Sequence, residues 1–583
     1  MGVIIKRRLP RCGAASQLNS FLHFLQAFHF RPRLLAHLPG YNRDKFVQDL
    51  GAGLTVGVVA LPLAMAFGIA SGVRPEQGIV TAIVAGFLIS LLGGSRVQIG
   101  GPAGAFVALL YGIVEKYGIA NLLIATMMSG VLLFAMGAFR MGNLVRFVPV
   151  SIVIGFTNGI AVIIAISQMK DLLGLDITKA PANFFSQIRA IGEHLLSFNW
   201  IACAIGLSSL LLIVLWPVSY RAQANRVQRL MTKLPSTVIV LVVWSFAVWL
   251  FNLPVETIGK RFGELPSGLP IPHAPDFDWR TAQNLVAPTI AIALLCAIES
   301  LLCARVADGM IQDRHDPNQE LMAQGVANFI SPWFGGIAAT GTIARTVTNV
   351  RSGAASPIAG IVHAGVLLLI ILFAAPLAVH IPLAALAAIL LWVAYSMGEW
   401  SEFVKLRQYS NFYRATLLST FLLTVIFDLV VAIEVGLVLS SLFFIYRISS
   451  LTKVEEIDLP FDATHLADGR RLVAYRLFGS LFFGSVTKLE HLLDPGRRLP
   501  EVLILEMDHV INIDTTGMDA LENLHTLVHK RGGRLLIAGV NEQPLSLMKR
   551  SGFVKVLGAE NLVKSLDDAL WAVKSHAIEP DAV

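Results

Sequence analysis

The sequence predicts a polytopic α-helical membrane protein that ends in a soluble α/β domain. The chain has 583 residues, of which 55% are hydrophobic and 15% are charged, and its mean hydropathy is +0.67. These values are far from those of a soluble globular protein. Apolar runs long enough to cross ~30 Å of hydrocarbon recur from about residue 50 to about residue 448. From about residue 463, short apolar strands alternate with charged helices, which indicates an α/β domain.

Residues 1–45 are predicted to form a basic cytoplasmic arm, because lysine and arginine are frequent there. We expect the arm to lie on anionic lipid headgroups. The apolar run Val3–Ile5 is too short for a signal peptide. The basic residues of the arm are Lys6, Arg7, Arg8, Arg11, Arg31, Arg33, Arg43 and Lys45.

The membrane domain, residues 46–450, is predicted to contain fourteen segments. The third and the tenth are too short to cross a membrane alone, and they occupy equivalent places in two sets of seven. An odd number of segments in each set gives the two halves opposite orientations, so any repeat must be inverted. The predicted spans are 50–70, 78–94, 102–115, 119–138, 147–170, 198–217, 235–252, 284–306, 318–333, 344–355, 357–378, 382–397, 411–428 and 430–448.

Positive charges in the short loops predict the orientation. With a cytoplasmic N-terminus, loops after even-numbered segments are cytoplasmic, and these loops should carry most of the basic residues. Fourteen spans also place the C-terminal domain in the cytoplasm. The basic residues at these loops are Arg96, Arg140, Arg146, Arg221, Arg226, Arg229, Lys233, Arg305, Arg314, Lys405, Arg407 and Arg414.

Two interrupted segments predict an anion site. Residues 97–106 (VQIGGPAGAF) and 341–353 (GTIARTVTNVRSG) both look like the unwound start of a short helix, and such pairs mark the binding site of many transporters. Helix N-termini favour anions through free N–H groups and the helix dipole. Glycines there should let the backbone approach the ligand closely. The predicted lining residues are Gln98, Gly101, Ala103, Gly104, Thr342, Ala344, Arg345 and Thr346.

Arg345 is the strongest candidate of this set. A cation at membrane depth is expensive and therefore suggests function, and a guanidinium offers a fork of donors suited to carboxylates and oxyanions. The alternative is that Arg345 reaches the interface or pairs with a structural acid. Arg351 is interpreted as a residue near the interface.

Glu299 is the clearest acid in the middle of an apolar segment. Helical spacing places it on one face with Cys296 and Cys303, which are interpreted as packing residues and not as metal ligands. A buried carboxylate needs a cation or a proton. If Glu299 faces Arg345, its protonation would release Arg345 to the substrate, which is a simple proton–anion symport. The alternative is a static structural ion pair.

In the C-terminal domain, Glu501–Val510 is predicted to be a buried strand, and Asp514-Thr515-Thr516-Gly517 opens a helix that ends near Lys530. A further strand is predicted at Arg534–Val540 and a further helix at Gln543–Arg550.

Together these motifs resemble those of SulP-family anion permeases with a C-terminal STAS domain, over about residues 40–570. The resemblance rests on residues 61–68, 100–105, 318–321 with Gly325, 341–345 and 514–517. It implies seven-plus-seven inverted repeats arranged as a uracil-permease-like core and gate, and a homodimer in a bacterial inner membrane. It also implies four parts of the chain, which are the arm at 1–45, a transport domain at 46–450, a linker at 451–462 and a STAS domain at 463–583.

Within that family the chain most resembles bacterial proton-coupled members, including C4-dicarboxylate transporters. Arg345 and Glu299 stand where those members carry an arginine and an acid. Sodium–bicarbonate members lack the arginine, so its presence argues against sodium coupling. Anti-sigma-factor antagonists carry a phosphorylatable residue between the Asp and Gly of the STAS motif, where Thr515 and Thr516 stand here. The alternative is a helix N-cap at Asp514.

Other function classes are less well supported by the sequence. A Walker-type phosphate loop is not found, so ATP-driven transport is not indicated. No residue set suggests an enzyme, a cofactor or a nucleic-acid partner. A membrane anion sensor with STAS output and an uncoupled anion channel stay open. The choice among sulfate, bicarbonate and dicarboxylates also stays open, because cavity shape decides it.

Overall fold

The computed structural model describes residues 30–143, 148–177, 183–216, 235–264, 278–427, 429–459, 470–490 and 500–576, with a few single positions between them. The chain divides into two compact units, Met1–Leu437 and Val438–Val583. Basic residues of the predicted arm and loops that lie outside the described residues are Lys6, Arg7, Arg8, Arg11, Arg146, Arg221, Arg226, Arg229 and Lys233.

Within the described ranges, every one of the fourteen predicted segments contains a helix, so the predicted fold class is confirmed for this part. In the part of the chain that the structure describes, seven helices are long and apolar enough to cross a membrane, and the sixth and seventh predicted segments contain shorter apolar helices. The helices are α1 Arg43–Ala70, α2 Pro75–Leu92, α3 Val107–Tyr117, α4 Ile119–Ala138, α5 Val150–Leu172, α6 Trp200–Leu215, α7 Ser236–Phe251, α8 Val286–Ile311, α9 Pro317–Ile330, α10 Ile343–Arg351, α11 Ile358–Ala378, α12 Leu383–Met397, α13 Asn411–Ile426 and α14 Leu429–Leu451.

Short helices connect several of these segments. Except for Asn284, their residues lie outside the fourteen predicted spans. Three of them begin at a side-chain cap, for example Asp278, whose carboxylate accepts from the backbone N–H of Thr281. Their bounds are Arg33–His37, Phe184–Glu193, Ile258–Phe262, Trp279–Asn284 and Trp400–Val404.

Small residues pack the helices into two groups. α1, α2 and α11 touch one another closely, since a Cβ at Gly53 would lie 2.5 Å from the Ala359 oxygen. α4 and α9 are equally close through Gly130 and Gly325. In the other group α5 packs on α13, where a Cβ at Gly155 would meet the Leu417 oxygen at 2.7 Å. Such small-residue contacts are the usual means of close helix approach in membranes, and the glycines at these positions allow it here.

The last part of the predicted arm contacts protein. The Arg31 backbone N–H donates to Oε1 of Gln319 at 2.6 Å, and the Arg33 guanidinium forms an ion pair with Asp313 at 2.7 Å. These residues therefore dock on Asp313 in the loop before α9 and on Gln319 in its first turn, and the contact of the arm with lipid stays a prediction.

Beyond α14, the second unit contains a five-stranded sheet. Its strands are numbered β3 to β7, since β1 Gly100–Gly101 and β2 Thr340–Gly341 precede them, and they are neighbours in that order. β3 is antiparallel to β4, and the other neighbours are parallel. This is the α/β domain that the sequence predicts. The strands are β3 Lys453–Glu456, β4 Leu472–Leu481, β5 Val502–Ile513, β6 Arg534–Ala538 and β7 Leu562–Val563, and the main helices are α15 Thr515–Lys530, α16 Glu542–Ser551 and α17 Leu566–His576.

The predicted linker at 451–462 is wrong in part. Strand β3 lies inside it and pairs in register with β4, Val454 opposite Leu477. Val454 packs against the core of the domain, whereas Lys453, Glu455 and Glu456 are exposed. A charged edge strand protects a sheet from pairing with other chains. A charged composition is also typical of linkers, and the sequence therefore predicted a linker here.

Candidate functional site

A two-residue ribbon brings the two interrupted segments together. β1, Gly100–Gly101, is antiparallel to β2, Thr340–Gly341, with Gly100 opposite Gly341 and Gly101 opposite Thr340. After β1 the chain forms a 3-10 turn at Gly104–Phe106 and enters α3, and after β2 it enters α10. The N-termini of both half-helices therefore start from the same ribbon, as the paired interruptions predict.

The first turns of the half-helices keep free N–H groups. The first α-helical bond of α10 runs from the Thr346 N–H to the Thr342 oxygen, and the 3-10 turn begins with a bond from Phe106 to Ala103. The backbone N–H groups of the residues before these two bonds therefore have no acceptor within their own helix. Ala344 is exposed and Ala103 is 8% exposed. The start of α10 thus faces open space, which an anion needs in order to approach it.

Two predicted lining threonines hold the ribbon in this conformation. The Thr342 hydroxyl donates to the Ile99 oxygen at 3.0 Å, and the Thr346 hydroxyl accepts from the Ile99 N–H at 3.0 Å. Asn349, one turn further along α10, donates to the Val97 oxygen at 2.8 Å. These three side chains clamp α10 to the segment before β1, and the lining role of Thr342 and Thr346 stays a prediction.

Arg345 is the largest fully buried side chain of the described residues, with 1% exposure. Its Nη2 donates to the Pro102 oxygen at 3.3 Å, and its Nη1 has no partner among the described residues. Gly101 has φ +152°, and a Cβ there would lie 2.5 Å from Nη1. Gly101 therefore makes room for the guanidinium, where the sequence suggested room for the ligand. The result is an almost uncompensated cation directly behind the ribbon.

Gln98 and Gly341 form a second close contact. Gln98 is 4% exposed, its Nε2 donates to the Ser300 oxygen at 3.3 Å, and its Oε1 is another buried atom without a partner among the described residues. A Cβ at Gly341 would lie 1.6 Å from that Nε2. Gly104 differs, because a Cβ there would lie 3.2 Å from the side chain of Phe67. A small shift of that side chain would make room for the Cβ.

Glu299 lies beside the site on α8. On one side Cys296 donates to the Ala339 oxygen at 3.3 Å, and on the other Cys303 donates to the Thr346 hydroxyl at 3.2 Å. The cysteines thus pack α8 against β2 and α10, as expected. Glu299 is partly exposed between them. Among the ion pairs of the described residues none joins Glu299 to Arg345, so the predicted pair is not formed in this conformation.

Three polar residues of α9 that support the site were not singled out individually from the sequence. Glu320 is fully buried and accepts from the N–H groups of Gly94 at 2.9 Å and Ser95 at 3.2 Å, ahead of β1. Asn328 exchanges two 2.8 Å bonds with Ala339, ahead of β2, and Gln324 joins them by donating to Glu320. Their spacing of four residues on a buried helix was the available signal. A fourth unrecognised residue, His363 on α11, has 0% exposure.

In the soluble unit, Asp514 is the N-cap of α15. Its Oδ1 accepts from the Gly517 N–H at 2.8 Å, and its Oδ2 accepts from the Phe483 N–H at 3.3 Å. Thr515 and Thr516 are exposed. The geometry matches the N-cap interpretation of the motif, and phosphorylation of the threonines stays a prediction.

We predict that Gly341→Ala weakens both folding and anion binding, because the new methyl group must displace Gln98 and disturb the ribbon. Overpacking of this kind costs about 1–3 kcal/mol, so the melting temperature should fall by several degrees. The matched control is Gly112→Ala on α3, where a Cβ would meet nothing within 4 Å. Thermal melts of both variants test this, and a Gly341→Ala protein as stable as the control would contradict the geometry.

The chain matches two protein-family models and several known proteins. The family model described as "Sulfate permease family" matches residues 46–420, and the one described as "STAS domain" matches residues 466–569. A protein of Bacillus subtilis (strain 168) named "Putative sulfate transporter YvdB" is 40% identical over 92% of this chain and 99% of its own. The "Bicarbonate transporter BicA" of Picosynechococcus sp. is 28% identical over 90% of this chain and 94% of its own.

Solved structures agree on the fold. The murine anion transporter Slc26a9, in the inward-facing state, superposes with a TM-score of 0.82 over 98% of this chain and 96% of its own, at 18% identity. The transmembrane domain of a cyanobacterial bicarbonate transporter BicA superposes with a TM-score of 0.59 over 69% of this chain and 98% of its own, at 28% identity.

Proposed function

The chain belongs to the sulfate permease family, and we propose that it is a secondary active transporter that moves an anion together with protons. It is an integral membrane protein, and its family carries anions across membranes. The proposal adds the coupling ion and the site. The anion binds at the N-termini of α3 and α10, and Arg345 provides the charge that attracts it.

The observation that supports this site is the buried guanidinium of Arg345. A buried cation without a counter-ion costs several kcal/mol, so natural chains keep one where a ligand supplies the missing charge. Its Nη1 is unpartnered within the described structure and faces Gly101 of the ribbon. The negative charge of an anion at the paired N-termini offsets the positive charge of Arg345.

Glu299 is the proposed proton site. The proposal is supported by the partial exposure of Glu299 and by its neighbours on α8, Cys296 and Cys303, which contact Ala339 and Thr346. A carboxylate there opposes the anion by like-charge repulsion, and a neutral carboxyl group does not. Protonation of Glu299 therefore favours anion binding even without a direct contact with Arg345, so anion uptake should rise as the external pH falls.

Sulfate, bicarbonate and C4-dicarboxylates are the proposed substrates. The names of the relatives support the first two, and the resemblance to proton-coupled bacterial members supports the third. A sodium-coupled transporter, an uncoupled channel and an anion sensor with STAS output are the alternatives. We further propose a homodimer in the inner membrane, in contact with lipid, with both termini in the cytoplasm.

Radiolabelled uptake into proteoliposomes tests the function. Sulfate, bicarbonate and succinate should be compared at pH 6 and pH 8, with sodium or potassium as the only cation. The proposal expects uptake of at least one anion that is faster at pH 6 and independent of sodium. Uptake that requires sodium, or steep voltage-driven flux without pH dependence, would favour an alternative, and binding without flux would indicate a sensor.

Removal of the soluble domain after Ser449 should leave anion binding intact but reduce stability. All of the proposed site lies in residues 98–346. The domain does cap the end of α14, since the Lys488 ammonium donates to the Ser449 oxygen at 2.6 Å and the Ser449 hydroxyl donates to the Gly484 oxygen. Isothermal titration of the truncated protein with its best anion tests this. Complete loss of binding in monodisperse protein would show that the STAS domain helps to build the site.

A further inference from the structure

His363 is a buried titratable residue that the proposed transport cycle does not yet use. It lies on α11 with 0% exposure, and neither ring nitrogen has a hydrogen-bond partner among the described residues. A buried imidazole that lacks both partners is uncommon, because each unsatisfied polar group costs free energy. Packing alone would be served better by an apolar side chain of the same size.

The ring lies behind the ribbon of the anion site. Gly86 on α2 separates the two, because a Cβ there would lie 3.6 Å from Cε1 of His363 and 3.0 Å from the oxygen of Gly100. On the other side, a Cβ at Gly57 of α1 would lie 3.3 Å from the His363 oxygen. Gly86 of α2 thus lets the imidazole lie close to β1, whereas the contact of α1 at Gly57 is with the backbone of His363 and not with its ring.

Few charges face this ring from the helices packed on it. On α1, residues 43–45 lie in the exposed first turn, and Asp49 is already bound by the N–H groups at the start of α11. On α2, Glu76 is paired with Arg74 at the far end. On α10, the Arg345 guanidinium faces Gly101 of the ribbon, and a Cβ at that glycine would also lie 3.6 Å from Cβ of Ala82, one turn before Gly86 on α2. The ring and the guanidinium therefore share one region that holds a positive charge.

We propose that His363 takes up a proton when an anion binds at the ribbon. The inference rests on the proposed function and deepens it, since it adds a second proton position to that of Glu299. While Arg345 stands uncompensated, a second positive charge beside it is unfavourable. A bound anion offsets Arg345, and the imidazole then takes up a proton that the buffer acid of the bulk solution supplies. For a divalent anion, two protons would carry the substrate without net charge.

The thermodynamic linkage between anion binding and protonation of His363 makes the inference measurable. If anion binding favours protonation of His363, protonation favours anion binding by the same factor, and binding must be accompanied by proton uptake. The number of protons taken up follows from titration calorimetry of the purified full-length protein with sulfate and with succinate, in buffers of different ionisation enthalpy, between pH 6 and pH 8.

His363→Gln should still bind the anion, with about one proton fewer per anion than the wild type at the pH where the wild-type number is largest. His380→Gln is the matched control. His380 follows the C-terminal end of α11, is far from the ribbon in sequence and is partly exposed. A purely structural role of His363 would change stability or affinity but not the proton number. An unchanged number in His363→Gln would overturn the inference.

Glu299→Gln provides a second test that does not depend on folding of a His363 variant. With Glu299 removed as a proton site, anion binding should still take up about one proton, and no uptake would overturn the inference while the anion site stands. Failure of the wild type to bind sulfate, succinate and, in a third titration, bicarbonate would overturn the proposed function itself, and so the two failures are distinguishable.

Discussion

Replacement of Arg345 by alanine or methionine should abolish anion binding and uptake. The guanidinium is the one cation placed behind both half-helix N-termini in the described part of the site. Loss of a buried charge partner typically costs about 2–5 kcal/mol of binding free energy, which is roughly a 30- to 5,000-fold loss of affinity. Titration with sulfate, bicarbonate and succinate, together with proteoliposome uptake, measures the effect.

Replacement of Arg345 by methionine should preserve or raise the stability of the protein although it abolishes anion binding. Arg345 makes one 3.3 Å hydrogen bond and no ion pair with a described residue, so the empty protein carries the cost of a buried cation. Arg345→Met fills most of the same volume without charge and should melt at the wild-type temperature or above it. Arg345→Lys should also bind poorly, because an ammonium buried without partners loses its proton far more readily than a guanidinium.

Arg351→Met is the matched control for this prediction. Arg351 lies at the other end of α10 and is exposed, so its replacement should leave anion affinity within about threefold of the wild type. If Arg345→Met bound the anion as tightly as Arg351→Met, Arg345 would have to be removed from the site.

The membrane helices could be predicted because hydrocarbon imposes both length and composition on them. The first predicted span, 50–70, matches α1, yet the helix begins at Arg43 under a cap in which Asn42 accepts from the Lys45 N–H at 2.9 Å. Polar first turns that extend beyond the hydrocarbon leave no hydropathy signal. Strand β3 was missed for a related reason, since its pairing with β4 is a tertiary contact and its own side chains are mostly charged.

The site could be predicted only as far as local sequence determines it. Glycine, proline and arginine in two equivalent interruptions identified the segments, but which side chain fills the space at Gly101 depends on the register of Gly101 with Thr340. The residues near Gly101 and Thr340 in the sequence do not determine how the two strands pair. The same limit applies to His363, whose place behind the ribbon follows from the packing of α11 on α1 and α2.

Glu299→Gln should bind the anion more tightly than the wild type at pH 8 but concentrate it less. The amide resembles the protonated carboxyl group and removes a negative charge beside the site. At an effective dielectric constant of ~20, like charges ~8 Å apart repel by about 2 kcal/mol, so affinity at pH 8 should rise roughly 10- to 30-fold. At pH 6 the difference should be smaller, because the wild-type carboxylate is then protonated more often.

Concentrative uptake should fall because one coupled proton is lost. A gradient of one pH unit supplies about 1.4 kcal/mol per coupled proton, so its removal should lower the steady-state accumulation ratio about tenfold. Glu115→Gln, at the far end of α3 from the ribbon, is the matched control and should accumulate anion as the wild type does. If Glu299→Gln also kept the wild-type accumulation ratio under the same gradient, proton coupling would have to be assigned elsewhere. The carboxylate between Cys296 and Cys303 would then be a structural charge of α8.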